Sequence, residues 1–312
     1  MKPLAPSRTA EYMAFFRALE SLRPASRRLF ADPFAEHFIR PSLRRALRLS
    51  RLPVVGRFVD WYADRRLPGA RTSAIARTRL IDDALLPALQ TGIGQVVILG
   101  AGFDCRGYRL APLRAATVFE VDYPATLGSK LSGLRQIVSD LPEHVRFVEI
   151  DFNQQGLPEV LSRAGFDPWR AAVFLWEGVT NYLTADAVDA VLHFVAACHS
   201  GTRLIFTYVD SAVLDGGVRF QGAARILEDV ARLNEPWTFG LSPDQVPAFL
   251  CERGLSLHCD FSADEYRKLY FGAASQWMKG YEFYHVAVAQ VPEGKERIPA
   301  LQVSMQRDGS NA

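Results

Sequence analysis

Gln95-Val-Val-Ile-Leu99 runs directly into Gly100-Ala-Gly-Phe-Asp-Cys-Arg106, and Val118-Phe-Glu-Val-Asp122 follows shortly after. The first run is short, β-branched and apolar with no alternation, which predicts a strand covered on both faces of a parallel sheet. The glycines at 100 and 102 let the backbone turn tightly and approach a ligand. Asp122, closing the second strand, is placed to accept from both hydroxyls of a ribose. Strand, glycine turn, helix and acid-tipped strand together form a nucleoside-site layout at the carboxyl ends of the strands.

Working outward, Val145-Arg-Phe-Val-Glu-Ile150, Ala171-Ala-Val-Phe-Leu-Trp176 and Arg203-Leu-Ile-Phe-Thr-Tyr-Val209 repeat the apolar theme. The runs lie about 20 to 30 residues apart, room for right-handed crossover helices. One such helix is predicted from Thr184, a potential N-cap, to Cys198, with Asp186 in its first turn. Leu255 to Phe261 and Tyr284 to Val291 show no long helix signal between them and read as an antiparallel pair at one sheet edge. The expected fold is therefore α/β: a doubly wound, mostly parallel, Rossmann-like seven-stranded sheet. Ser242-Pro-Asp-Gln245 reads as a capping box opening a helix to about Arg253.

Before the sheet, Phe15, Phe16, Leu19, Phe34, Phe38 and Leu47 recur at helical spacing, interrupted by Pro24, Pro33, Pro41 and Pro53. Residues 1–70 are expected to form an N-terminal helical lid, and residues 73–90 a further helix ending near Gly92. Residues 71–291 form the ligand-binding core, with 211–240 an insertion over the site. The polar tail, 292–312, is expected to be mobile.

The 312 residues suffice for one large α/β domain with a cap, and 49% apolar against 22% charged residues exclude wholesale disorder. No apolar stretch approaches the ~20 residues of a membrane span. Arg8, Glu11 and Arg17 break any signal-peptide pattern, so a soluble cytoplasmic protein is expected. Cys105, Cys198, Cys251 and Cys259 are widely spaced, with no zinc-type pairing, which predicts buried free thiols and no metal site. Charge is divided unevenly: residues 1–80 hold 17 Lys+Arg against 6 Asp+Glu, a balance of +11, and the remainder carries −9. Such a basic arm suits nucleic acid, a membrane surface or an acidic partner, unless it packs on its own acidic body.

The glycine turn also discriminates between ligands. A dinucleotide fingerprint needs a third glycine where this chain has Cys105, and Asp104 would repel a pyrophosphate. S-adenosylmethionine carries no phosphate and bears cationic sulfonium and ammonium groups, so the acidic turn favours it over NAD.

Ala76-Arg-Thr-Arg79, Leu99-Gly-Ala-Gly-Phe-Asp-Cys-Arg106, Phe119-Glu-Val-Asp-Tyr-Pro124 and Trp176-Glu-Gly-Val-Thr-Asn-Tyr-Leu183 occur together and in this order. The combination resembles the leucine carboxyl methyltransferase family, particularly its bacterial O-methyltransferase branch, over roughly residues 70 to 290. The resemblance implies a class I methyltransferase fold and methyl transfer from S-adenosylmethionine to a carboxylate or hydroxyl oxygen of a small-molecule or carrier-bound acceptor. By that resemblance Arg77 pairs with the cofactor's carboxylate and Gly100 lies against its methionine portion. Asp122 then holds the ribose, Asp151 and Phe152 the adenine, and Glu177 the ammonium. No catalytic residue is singled out.

Each assignment has a structural alternative: a solvent-facing position on its helix for Arg77, and helix capping for Glu177 and Asp151. Two other functions compete. One is an NAD-dependent oxidoreductase, opposed by the missing glycine. The other is a non-catalytic cofactor- or nucleic-acid-binding protein that uses the arginine-rich arm.

Overall fold

The computed structural model describes residues 7–151, 154–216, 220–233 and 235–293. Helices α1 (Arg8–Ser21), α2 (Pro41–Leu49), α3 (Pro53–Arg66) and α4 (Ala70–Gln90) precede the sheet. Strands and helices then alternate: β1 (Gln95–Leu99), α5 (Arg106–Arg109), β2 (Thr117–Asp122), α6 (Pro124–Leu134), β3 (Val145–Glu149), α7 (Leu157–Arg163), β4 (Val173–Trp176), α8 (Ala185–Ala196) and β5 (Arg203–Val209). The C-terminal part comprises α9 (Ala212–Asp215), α10 (Ala223–Arg232), α11 (Val246–Glu252), β6 (Ser256–Ser262), α12 (Ala263–Phe271) and β7 (Tyr284–Gln290).

The strand order is β3-β2-β1-β4-β5-β7-β6. The first five strands run parallel, with Val97 opposite both Phe119 and Phe174, while β7 runs antiparallel between β5 and β6. All of β1 is buried, as its unbroken apolar run requires. The chain order reverses between β1 and β4, the crevice where ligands of doubly wound sheets bind.

Alternate residues of each strand feed two cores. Val96, Ile98 and Leu175 pack with α1, α4 and α12 on one face; Val97, Phe119 and Phe174 pack with α7, α8 and α11 on the other. Phe15, Phe16 and Leu19 belong to the first core, so α1 is part of the domain's packing. Thr184 caps α8 as expected, accepting from the Ala187 N–H.

The structure differs from the sequence reading at several points. Ser242 makes no capping bond; residues 243–245 form a 3₁₀ turn and α11 begins only at Val246. The capping box stands instead at Ser262 and Glu265, opening α12 in the interval read as lacking a helix. The helix expected at 73–90 begins earlier, at Ala70. Cys251 is exposed and Cys259 half-buried, so only Cys105 and Cys198 are the buried thiols expected. The tail beyond Glu293 lies outside the described residues. Among the described residues, no helix is long and apolar enough to cross a membrane.

Candidate functional site

Gly100, Asp122 and Glu177 stand at or just beyond the carboxyl ends of β1, β2 and β4, and Arg77 reaches Glu177 from α4. Gly100 and Gly102 have φ of 62° and 44°, in the left-handed region that glycine adopts freely. A Cβ at Gly100 would lie 2.3 Å from Cγ2 of Val179, so the turn after β1 and the loop after β4 close on each other only because residue 100 has no side chain.

Asp122 accepts the Gly102 N–H through one carboxylate oxygen, and through the other the Tyr123 N–H at 2.6 Å. Each oxygen keeps a lone pair for a further donor, the requirement for holding a ribose diol. Burial pushes the Asp122 carboxyl above its usual range, against the pull of the two backbone donors. Hydroxyl donors favour the ionised form, so ligand affinity should be full above the free protein's Asp122 pKa and fall as pH drops through it. Calorimetry of S-adenosylhomocysteine across the acidic range should show this loss. Asp122→Ala should weaken binding by ~2–3 kcal/mol and abolish that pH dependence, with little change in the ligand-free melting temperature.

Arg77, on α4, is only 4% exposed, so it does not face solvent. Its Nε donates to Glu177 Oε1 at 2.8 Å, and its guanidinium lies 4.6 Å from the centre of the Tyr284 ring. Glu177 uses its other oxygen to accept from Arg106 at 2.8 Å. Burial alone would raise the Glu177 pKa, but Arg106 and Arg77 outweigh it and hold the carboxyl below its usual range. Glu177 is thus clamped between guanidinium groups and does not act as a helix cap. Asp151 follows β3 and is half-buried, its N–H donating to Gln155. Phe152 lies outside the described residues.

Asp104 was expected to present its charge to the ligand, but its carboxylate pairs with Arg106 and also accepts that residue's backbone N–H at 2.7 Å. Burial opposes ionisation, yet Arg106 and Arg17 hold Asp104 well below the usual carboxylate range. Its charge is satisfied within the protein, so discrimination against a pyrophosphate rests on the missing third glycine.

Arg106 had no assigned role in the sequence, though it is the hub of the site: it also donates to Asp82 at 2.8 Å. A cation in the first turn of a helix is disfavoured by the helix dipole, and that misplacement is the signal for a carboxylate cluster. An aromatic wall was also missed. Tyr281, Phe283 and Trp237 stand with Tyr284, Tyr281 having its ring 6.1 Å from that of Tyr284. Among the described residues Tyr281 is the sole non-glycine with positive φ, 66°, and such backbone strain clusters at functional sites.

Helix α1 lies across the glycine turn. A Cβ on Gly102 would sit 3.4 Å from the Ala10 methyl, and Arg17 donates to the Phe103 carbonyl. Thr9 donates to Glu235 at 2.6 Å, tying α1 to the segment after α10, and the Met13 sulfur lies 3.5 Å from Arg77.

The chain matches the profile of the leucine carboxyl methyltransferase family over residues 10–196. It is 36% identical over 217 residues to a provisionally named S-adenosyl-L-methionine-dependent methyltransferase of Frankia alni, covering 69% of this chain and 72% of that protein. A Mycobacterium tuberculosis protein with the same provisional description is 34% identical over 204 residues, 63% of this chain and 67% of the relative. Among solved structures, a DUF574-family protein of Streptomyces avermitilis superposes with a TM-score of 0.54 at 16% identity, covering 89% of this chain and 97% of that one. A provisionally named methyltransferase of Thermobifida fusca gives 0.55 at 17%, covering 88% and 97%; at such identities these two share the fold alone. The profile match over more than half of the length, joined to the Frankia relative, shows that this chain belongs to the leucine carboxyl methyltransferase family.

Proposed function

We propose that the chain transfers the methyl group of S-adenosylmethionine to an oxygen of a small or carrier-bound acceptor, and that this oxygen is a carboxylate. Family membership assigns the donor and sets the oxidoreductase reading aside. The site's chemistry suits that donor. Its amino-acid end carries one ammonium and one carboxylate, and Glu177 and Arg77, now neutralising each other, are the complements of the two. Asp122 would take the ribose, Asp151 and Phe152 the adenine, and the backbone at Gly100 would lie against the methionine chain.

When bound, S-adenosylmethionine supplies an electrophilic methyl group: the acceptor oxygen's lone pair forms the O–CH₃ bond as the C–S pair returns to sulfur. What remains for the protein is alignment, worth ~7–11 kcal/mol of barrier, and exclusion of water. We assign the second task to residues 1–70, whose α1 crosses the glycine turn, and to the 211–240 segment with Trp237.

The observation that carries the carboxylate assignment is the weakness as bases of Tyr182, Tyr281 and Glu177 in and beside the aromatic wall. Burial pushes Tyr182 up to about 12 and Tyr281 higher still. Glu177, clamped by Arg106 and Arg77, is a weakened base. A phenol or alcohol would need a proton acceptor near neutrality, whereas a carboxylate is already ionised at pH 7. The test uses methyl-labelled donor with candidate acids and alcohols, followed by mild base. A carboxylate product releases volatile labelled methanol, the expected result; label that survives base as an ether overturns the carboxylate assignment.

A further inference from the structure

No side chain of helix α3 is fully buried, although the helix is rich in apolar residues. Val54, Phe58, Trp61 and Tyr62 are 79%, 60%, 55% and 57% exposed and recur at helical spacing along one face, and Leu49 and Leu52, just before the helix, are exposed as well. The opposite side of α3 is tied down: Asp60 pairs with Arg23 and Arg71, and Asp64 with Arg71. The helix's carboxylates are therefore taken up by arginines, Val59 and Ala63 pack on the core, and the face opposite them is left apolar and exposed.

The surroundings are cationic. Arg45, Arg48, Arg51, Arg57 and Arg65 are all exposed, and none pairs with a carboxylate among the described residues. Beside the apolar face runs an open groove of about 530 Å³ between the end of α1 and α3. Arg23, Arg27, Arg51 and Arg57 line it with Leu19 and Leu22, and its lone carboxylate, Asp60, is already paired.

We infer that this face docks on an anionic lipid bilayer, with α3 lying in the plane of the headgroups and the groove arginines taking lipid phosphates. Three features favour a bilayer over a protein partner. The apolar residues form a convex stripe on a helix ~21 Å long, a shape that seats in a fluid layer without a matching groove. Trp61 and Tyr62 are the side chains that settle at headgroup level, and the arginines can extend their charge to phosphate while their stems lie on apolar surface. The charge left unpaired around the stripe is all positive, where a protein-binding face would mix signs to fix register. Docking would set α1 and the groove at the lipid surface, so the proposal goes beyond the methyl-transfer reading and stands without it.

Vesicle sedimentation and tryptophan fluorescence test this with the full chain. Phosphatidylcholine vesicles containing a third phosphatidylglycerol should bind the protein at least tenfold more tightly than phosphatidylcholine alone, and 0.5 M salt should weaken binding. Emission should shift to the blue and be quenched by bromine-labelled acyl chains, with both changes lost in Trp61→Phe. Each arginine near an anionic surface is worth roughly fivefold, so replacing Arg48, Arg51 and Arg57 by Gln should cost roughly a hundredfold. Phe58→Ser with Trp61→Ser should abolish the quenching. Affinity for S-adenosylhomocysteine should be unchanged in these exposed-site variants, which reports on folding. Equal binding to neutral and anionic vesicles, or no binding by the parent protein, overturns the proposal. It is likewise overturned if the serine variant keeps vesicle binding while converting a dimer to a monomer, since the face then belongs to a second copy.

Discussion

Replacing Lys130 by methionine should cost about 3–5 kcal/mol of stability, the largest loss we expect from any single change outside the site. Lys130 on α6 and Glu120 on β2 are both fully buried and pair at 2.8 Å, and the Tyr108 hydroxyl donates to the same Glu120 oxygen at 2.8 Å. Removing the ammonium leaves a carboxylate in an apolar interior beneath the strand that ends in Asp122. Burial already pushes the Glu120 carboxyl above its ordinary range, with Lys130 pulling the other way. Without Lys130 its folded-state pKa should rise further. The variant's deficit should therefore be greatest at neutral pH and shrink on acidification, as protonation discharges the orphaned group. Urea unfolding at two pH values checks both statements. Adding Glu120→Leu to Lys130→Met should recover most of the loss, because the cost lies in the unpaired charge. A single variant as stable as the parent would show that water reaches Glu120.

Arg77→Ala should have the largest effect on ligand binding. Truncating one member of a buried, hydrogen-bonded charge pair costs about 2–5 kcal/mol. Here the loss should fall on ligands that carry the methionine carboxylate. S-adenosylmethionine and S-adenosylhomocysteine should weaken by that amount, while adenosine, which lacks the carboxylate, should weaken by less than about 0.5 kcal/mol. Arg77→Lys should recover only part of the difference, because an ammonium cannot reproduce the fork of guanidinium donors. Calorimetry with the three ligands decides the matter: equal losses would show that Arg77 acts by supporting Glu177 and Tyr284.

The sheet was readable because β1, β2, β4 and β5 are buried on both faces, and unbroken β-branched runs between glycine turns have few other solutions. The antiparallel edge was readable for the same reason in reverse, since β6 and β7 did not demand a crossover. Helix starts were less secure. Ser242 and Ser262 both head plausible capping signals, and only the local backbone decides which hydroxyl meets an N–H. Side-chain partners were the least legible. Arg77 on α4 meets Glu177 after β4, and Arg106 on α5 meets both Glu177 and Asp82 on α4, pairings made by the packing of elements distant in the chain that no local spacing encodes. Asp104 is a different case: its partner Arg106 is only two residues away, and this local pair takes the charge that the sequence reading gave to a ligand. Lys130 and Glu120 were passed over because each, alone, looks like an ordinary charged residue.

Helix α1 is held at two places of unequal strength, and this sets how the crevice can open. From Ala14 to Leu19 it is sunk in the core, and Arg17 fastens it to Asp32 and the Phe103 carbonyl. Its first turn is held by the Ser7 cap, by the Thr9 hydroxyl on Glu235 and, at its end, by Glu11 accepting from Arg40. Moving the whole helix would unpack Phe15, Phe16 and Leu19, a partial unfolding. Lifting Arg8 to Ala10 costs little beyond a cap and one hydrogen bond. Traffic into and out of the crevice should thus proceed by fraying of a helix end, an event of roughly microsecond duration. A door that light would open many times within each catalytic cycle, leaving bond formation or product dissociation to set the pace.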